Sequence, residues 1–393
     1  MHTVQDSFTA PTALIRCFLQ VYVADVSPPS VRGRLGALFE LAVSVGMLIT
    51  YLLGTYMSYW QLAFVCTSTC AVQLVLMFTI RESPRLSRNP LKNINERLSK
   101  RKSNSAEGTA LKTILTSHRR NAAKSYVVRI VIVGFLLFFQ AITGVDAISA
   151  FAGPIFRAAG LDSNASSGLL AALTVGLVLT VFTFFSLFVV DRFGRRIPLF
   201  IGGLVLMLAN LGMTVYFTAA FGFVSHPVSG NSTSQHSGSS IQNCVSEPLE
   251  PSTELSALPL TSVILFFAAF ALSWGPVPWI IGGELFPDQI RELGMGIGSA
   301  ISWLSMIAAV ALFPVISAAV GQAIPFLAMA VISFLSSIFV VLFLAETKDL
   351  QLDEISSMEV VNVKKNVKEF GRLLGWLLRG GFVRKMDLPH GQG

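Results

Sequence analysis

Long apolar runs alternate with short polar connections along this chain. Eight runs reach the roughly 20 residues that cross a bilayer as helix: Leu35–Tyr56, Trp60–Ile80, Ile130–Phe151, Gly168–Val190, Ile197–Phe221, Leu260–Gly282, Met295–Ala319 and Ala323–Ala345. A ninth, weaker run near Ala13–Ala24 is interrupted by Arg16. None alternates apolar and polar residues, so transmembrane strands are excluded. The pattern predicts an all-α multipass membrane protein, a helix bundle with eight clear spans and one partial. Residues 1–12 lack the basic start of a cleavable leader.

Composition agrees. Of 393 residues, 53% are apolar and 13% charged, against about 25% charged in ordinary soluble domains. Two soluble domains of this length could hardly cover their surfaces. The 30 Phe and 31 Gly suit packed membrane helices.

Charge sorts the connections by side. Arg81–Ser125 carries twelve Lys or Arg, Asp191–Arg196 three, and the tail after Glu346 eight; Gly222–Pro259 has none and three Glu. Cytosolic loops are enriched in Lys and Arg, which places the first three inside and the last outside. Two glycosylation sequons, at Asn164 and Asn231, fall on the predicted outer side. Cys66 and Cys70 sit one turn apart as packing residues, and no His lies within a run. No metal site, cofactor or nucleic-acid partner is expected.

The chain repeats itself. Asp25-Val-Ser-Pro28 to Arg32 recurs as Glu284-Leu-Phe-Pro287 to Arg291, with acid, Pro and Arg at one spacing. Glu82-Ser-Pro-Arg85 is echoed by Glu346-Thr-Lys348, 57 residues after Asp25 and 62 after Glu284 respectively. Two spans fit each interval. Parallel repeats about an axis along the membrane normal are a transporter architecture. Three spans precede Glu284 in the second copy but only some 24 residues precede Asp25. The expectation is a chain lacking about three spans at its front. Its expected parts are 1–85, the remnant of a first half; 86–125, a basic cytosolic linker; 126–355, a second half of six spans; and 356–393, a basic cytosolic tail.

Six motifs in order carry a resemblance: Asp25-Val-Ser-Pro…Arg32-Gly33, Glu82-Ser-Pro-Arg85, Asp191-Arg-Phe-Gly-Arg195-Arg196, Trp274-Gly-Pro-Val-Pro-Trp279, Glu284-Leu-Phe-Pro and Glu346-Thr-Lys348. From about Tyr22 to Ile355 the chain resembles the sugar porter branch of the major facilitator superfamily, including facilitative glucose transporters. The long loop holding Asn231 is similar to that of the subgroup with a glycan between helices nine and ten. The resemblance implies alternating access, with this chain holding a partial fourth helix to the twelfth.

It also implies site residues. Asp25, Arg32, Glu82, Arg85, Asp191, Arg192, Arg195, Arg196, Glu284, Arg291 and Glu346 would form a salt-bridge latch on the cytosolic side. Gln140, mid-run, matches a sugar-binding Gln. Asp146 stands where the family usually has Asn, Glu40 where it has Gln, and Ser302 where Asn is frequent. Trp279 and Trp303 match aromatics that line or gate the cavity. Ala141, Ala271, Leu179 and Met306 replace polar family residues, which thins the hydrogen-bonding set for hexose and leaves room for another polyol or a disaccharide.

Glu40 and Asp146 are intramembrane carboxylates, costly when ionised and unpaired. They make a proton the candidate co-substrate. Two prolines beside Trp279 predict a break where a gate would bend, and Gly144 a kink beside Asp146. The tail Val361–Arg384 mixes Lys and Arg with apolar residues in a pattern suited to an anionic inner leaflet. The function expected is facilitative transport of a hexose or related sugar in the plasma or an endolysosomal membrane. Its rival is a truncated, non-transporting isoform that senses sugar or regulates a full-length carrier partner. No nucleophile–base pair or phosphate loop suggests an enzyme.

Overall fold

The computed structural model describes residues 22–23, 27–28, 31–78, 108–153, 167–221, 257–287, 290–348, 350, 355 and 363–378. Asp25, Glu82, Arg85, Asn164, Asn231 and most of 86–125 lie outside them. The regular structure among the described residues is helix: α1 (Arg32–Tyr56), α2 (Tyr59–Met77), α3 (Gly108–Ile142), α4 (Val145–Ala150), α5 (Ser167–Phe193), α6 (Arg196–Phe221), α7 (Ala257–Ala269), α8 (Val277–Leu285), α9 (Arg291–Val320), α10 (Ala323–Phe343) and α11 (Val363–Leu378).

Seven stretches among the described residues are long and apolar enough to cross a membrane: Arg32–Gly54, Ser125–Ala150, Ala172–Phe193, Arg196–Ala219, Leu258–Leu285, Arg291–Val320 and Ala323–Phe343. The eighth expected run, Trp60–Ile80, is helical over Tyr59–Met77; Thr67, Ser68 and Thr69 lie within it, and each hydroxyl donates to a carbonyl one turn back (2.8, 2.8 and 2.9 Å). Such back-bonding removes much of the cost of a hydroxyl in hydrocarbon.

Helices pack in pairs: α1 on α5, α3 on α9, α6 on α10 and α7 on α6. In lipid the association of helices rests on close packing and hydrogen bonds. The α6–α10 seam shows both. Ser333, Ser336 and Ser337 are fully buried there, and Ser337 Oγ donates to Phe200 O at 3.4 Å. Trp274, also fully buried, donates from Nε1 to Leu199 O at 2.9 Å. Large apolar side chains such as Leu304 and Phe188 remain exposed, as faces turned to lipid do.

The two copies of the acid–Pro–Arg motif fold alike. Val31 (φ −120°, ψ 0°) precedes α1, and Ile290 (φ −125°, ψ 3°) precedes α9. Val31 N donates to Pro28 O at 3.2 Å, and Ile290 N to Pro287 O at 3.1 Å. Arg32 and Arg291 then open their helices, both buried.

Two spans are interrupted. α3 ends at Ile142 and α4 starts at Val145, with Gly144 between them at φ +107°. Only glycine takes that conformation readily, and a side chain at 144 would collide with Met329. The other break lies between α7 and α8, where Phe270–Trp274 forms one π-helical turn and Gly275-Pro276 follows.

Candidate functional site: a broken-helix centre and a charged end

Proline has no N–H to give. In an uninterrupted helix, residue 276 would donate to the carbonyl of Leu272 and residue 278 to that of Trp274, and here both donors are proline. Neighbouring helices supply replacements. Ser186 Oγ of α5 donates to Leu272 O at 3.3 Å. Gln140 Nε2 of α3 donates to Trp274 O at 2.7 Å and to Gly275 O at 2.8 Å. Broken backbone at membrane depth survives where such substitutes exist.

Gln140 therefore joins α3 to the break, and it is buried. Both of its N–H donors are committed to the backbone, so Oε1 is what it has left for a ligand. Trp279 lies in α8, five residues beyond Trp274, and is 1% exposed. Asp146 lies in the first turn of α4, half-buried, just past the Gly144 kink. Ser302 and Trp303 lie half-buried on α9, which packs on α3 and α4. Trp303 Nε1 is hidden without a hydrogen-bond partner among the described residues. Glu40 is half-buried on α1, which packs on α5 and touches α8. Six expected residues thus fall on five helices, and the structure joins Gln140 and the segment leading to Trp279 directly.

The charged residues gather at one end of the bundle. Arg195 Nη2 meets Glu284 Oε1 at 2.7 Å, with side-chain exposures of 2% and 1%. Thr347 Oγ1 donates to the other oxygen of Glu284 at 2.6 Å. Glu346 accepts backbone N–H bonds from Arg195 (3.0 Å), Arg196 (3.2 Å) and Lys348 (3.2 Å). Burial alone would lower the pKa of Arg195; Glu284, Glu346 and Asp191 more than offset it and hold it above the ordinary arginine value. A buried pair with its remaining oxygen satisfied is costly to break from one side, about 3–5 kcal/mol.

Asp191 pairs with Arg34 of α1 at 2.6 Å, an arginine half exposed to solvent. Arg32 donates from Nη1 to Leu350 O at 3.5 Å. Arg291 Nε donates to Phe286 O at 3.1 Å, within its own turn. Arg196 Nη2 donates to Val341 O and Asn366 O, both at 3.0 Å. Arg192 is exposed, and its carbonyl accepts from Lys348 Nζ at 3.0 Å.

Three participants escape sequence reading. Arg34 follows Arg32 by two residues, about 200° around a helix, so only the packing decides which of them meets Asp191. Arg129 is fully buried and donates to Leu285 O at 2.6 Å and Ile355 O at 3.1 Å. Its one signal is a lone cation at the first residue before an apolar run. Thr347 sits inside the Glu346-Thr-Lys348 motif, and its hydroxyl is what satisfies Glu284.

Comparison with known proteins adds relatives. A family model described as sugar (and other) transporter matches residues 11–358. The facilitated trehalose transporter Tret1 of Culex quinquefasciatus is 28% identical over 356 residues, which cover 86% of this chain and 62% of that protein. The Tret1-2 homolog of Drosophila simulans is 28% identical over 376 residues, 90% of this chain and 70% of that one. Among solved structures, the proton:xylose symporter XylE bound to 6-bromo-6-deoxy-D-glucose superposes with a TM-score of 0.62 at 23% identity, over 86% of this chain and 69% of that one. This chain thus spans about three fifths of the length of the Culex transporter, and the likeness to XylE is one of fold.

Proposed function

We propose that this chain, which belongs to the sugar (and other) transporter family, moves a sugar across a membrane by alternating access. The parts before and after the linker at 86–125 rock about the broken-helix centre. The observation that carries this reading is the break at Phe270–Pro276 stitched by Gln140. A discontinuous span whose freed carbonyls find donors on neighbouring helices can hinge at membrane depth.

In this reading Gln140 Oε1, Asp146, Ser302 and Glu40 meet sugar hydroxyls, while Trp279 and Trp303 offer aromatic faces to its C–H surfaces. The basic end faces the cytosol, and the Arg195–Glu284 pair with its neighbours latches that end while the site opens outward. Asn231, and less favourably Asn164, would carry glycan on the other side. The thinned polar set and the trehalose transporters among the relatives favour a disaccharide alongside hexose as substrate. Asp146 would take the proton if transport is coupled.

The test is uptake of radiolabelled glucose and trehalose into proteoliposomes holding this chain alone. Saturable uptake of at least one, abolished or reduced more than tenfold by Gln140→Ala and unchanged by Glu292→Ala at an exposed position, supports the reading. Absence of saturable uptake overturns it in favour of a non-transporting partner of another carrier. An imposed pH gradient that accelerates uptake in the parent, and not in Asp146→Asn, assigns the proton; indifference to the gradient removes it.

A further inference from the structure

The helix after the last span, α11, is held in a defined place against the charged end. Asn366 is buried, and its Nδ2 donates to Leu342 O at 3.2 Å. Its own carbonyl accepts from Arg196. One turn on, buried Phe370 meets Phe200 edge to face, with centroids 4.9 Å apart. The Arg196 guanidinium sits 5.4 Å above the Phe370 ring. Leu342 and Val341 belong to the last turn of α10, a membrane span. α11 is therefore fixed level with the bilayer boundary.

Its outer surface has two sectors. At 100° per residue, Val363 and Val367 form one edge beside the docked face, and they stay 39% and 43% exposed. Lys365, Lys368 and Arg372 cluster on the side away from Asn366 and Phe370, and all three are exposed. An apolar side with an exposed edge and a cationic side opposite it, on a helix level with a membrane boundary, is the arrangement of an interfacial helix. Cations at that depth snorkel toward phosphates, and their attraction to anionic lipid is additive and salt-sensitive.

We propose that α11 is an anionic-phospholipid-binding helix, with the Val363–Val367 edge in the headgroup region and Lys365, Lys368 and Arg372 against lipid phosphates. The site lies apart from the broken-helix centre and does not depend on sugar transport. It depends on the membrane reading only for the depth of the α10 terminus.

Hydrogen–deuterium exchange of the full chain tests this, in phosphatidylcholine nanodiscs with and without phosphatidylserine. The expected result is exchange in Val363–Leu378 slowed severalfold by phosphatidylserine, on the order of tenfold at low salt, and reversed by high salt. The triple variant Lys365→Gln, Lys368→Gln, Arg372→Gln, which leaves Asn366 and Phe370 in place, should keep its basal exchange and lose the response. Inorganic phosphate added to phosphatidylcholine discs should not reproduce the slowing. Equal exchange in both lipids, a response retained by the triple variant, or protection by free phosphate would each overturn the proposal. Loss of sugar uptake with the lipid response intact would count against the transport reading alone.

Discussion

The turns that open α1 and α9 are the same structure set to different uses. Both follow an acid, a proline and three residues; both place their last residue before the helix near φ −120°, ψ 0°; both bury the arginine that follows. Their connections then diverge. Arg291 donates within its own turn, to Phe286 O. Arg32 reaches Leu350 O, 318 residues later. In the second copy the acid, Glu284, is part of a buried pair with Arg195. A short motif thus fixes backbone geometry, while neighbours decide what its charges do. The second copy contributes a sealed ion pair, and the first contributes links that cross from α1 to α5 and to the segment after α10.

Breaking the sealed pair should have the largest effect. Glu284→Ala leaves Arg195 buried without its partner carboxylate, and a buried pair broken from one side costs about 3–5 kcal/mol. We expect a fall in thermal stability in detergent and greater alkylation of a cysteine introduced at Thr347. Replacing both partners, Arg195→Leu with Glu284→Leu, should restore part of the stability, since apolar replacement of a buried pair is often neutral. If Glu284→Ala melts like the parent, the second copy is not the sealed one.

Position 33 gives the next effect and a control within the same molecule. Its counterpart in the second copy is Glu292, which is exposed. At Gly33 a methyl would overlap Asp191 Oδ1, with Val190 at 3.3 Å behind it. Gly33→Val should therefore force α1 and α5 apart locally, at about 1–3 kcal/mol, the usual cost of overpacking. Glu292→Ala should stay within about 0.5 kcal/mol of the parent. Parallel melting curves check both. Equal behaviour would erase the difference between the copies.

Much of this architecture is legible in the chain itself, because membrane helices announce themselves as apolar runs of fixed length and the prolines at 276 and 278 mark a break. The identities of the substitute donors are not. Nothing in the order of residues says that Ser186 serves Leu272 or that Gln140 serves Trp274, since those pairs meet only through packing of α5 and α3 on the break. The charged end divides in the same way. Glu284, Glu346, Asp191 and Arg195 stand out by motif, whereas Arg34 and Arg129 look like ordinary boundary cations until the fold places a carboxylate or a helix terminus before them. The run expected at Trp60–Ile80 is legible in the same way: it is helical over Tyr59–Met77, and its three successive hydroxyl residues back-bond within the helix.

The smallest effect concerns Arg34, and it separates strength from location. Its pair with Asp191 is short, 2.6 Å, but the arginine side chain is 56% exposed. Water and salt screen such a pair, so Arg34→Ala should cost about 0–1 kcal/mol, less in high salt. The counterpart of Arg34 in the second copy is Leu293, which is 63% exposed, and Leu293→Ala should be equally mild without any salt dependence. The two differ in what they join. Arg34 couples α1 to α5, so the combination of Arg34→Ala with Asp191→Asn should cost less than the sum of the two, and the shortfall should shrink as salt rises. A weak, screened contact placed between two parts is what a reversible latch needs, whereas a strong one would hold them shut. If the double variant is strictly additive at low salt, Arg34 and Asp191 are neighbours without coupling, and the first copy links the parts through Arg32 and Leu350 instead.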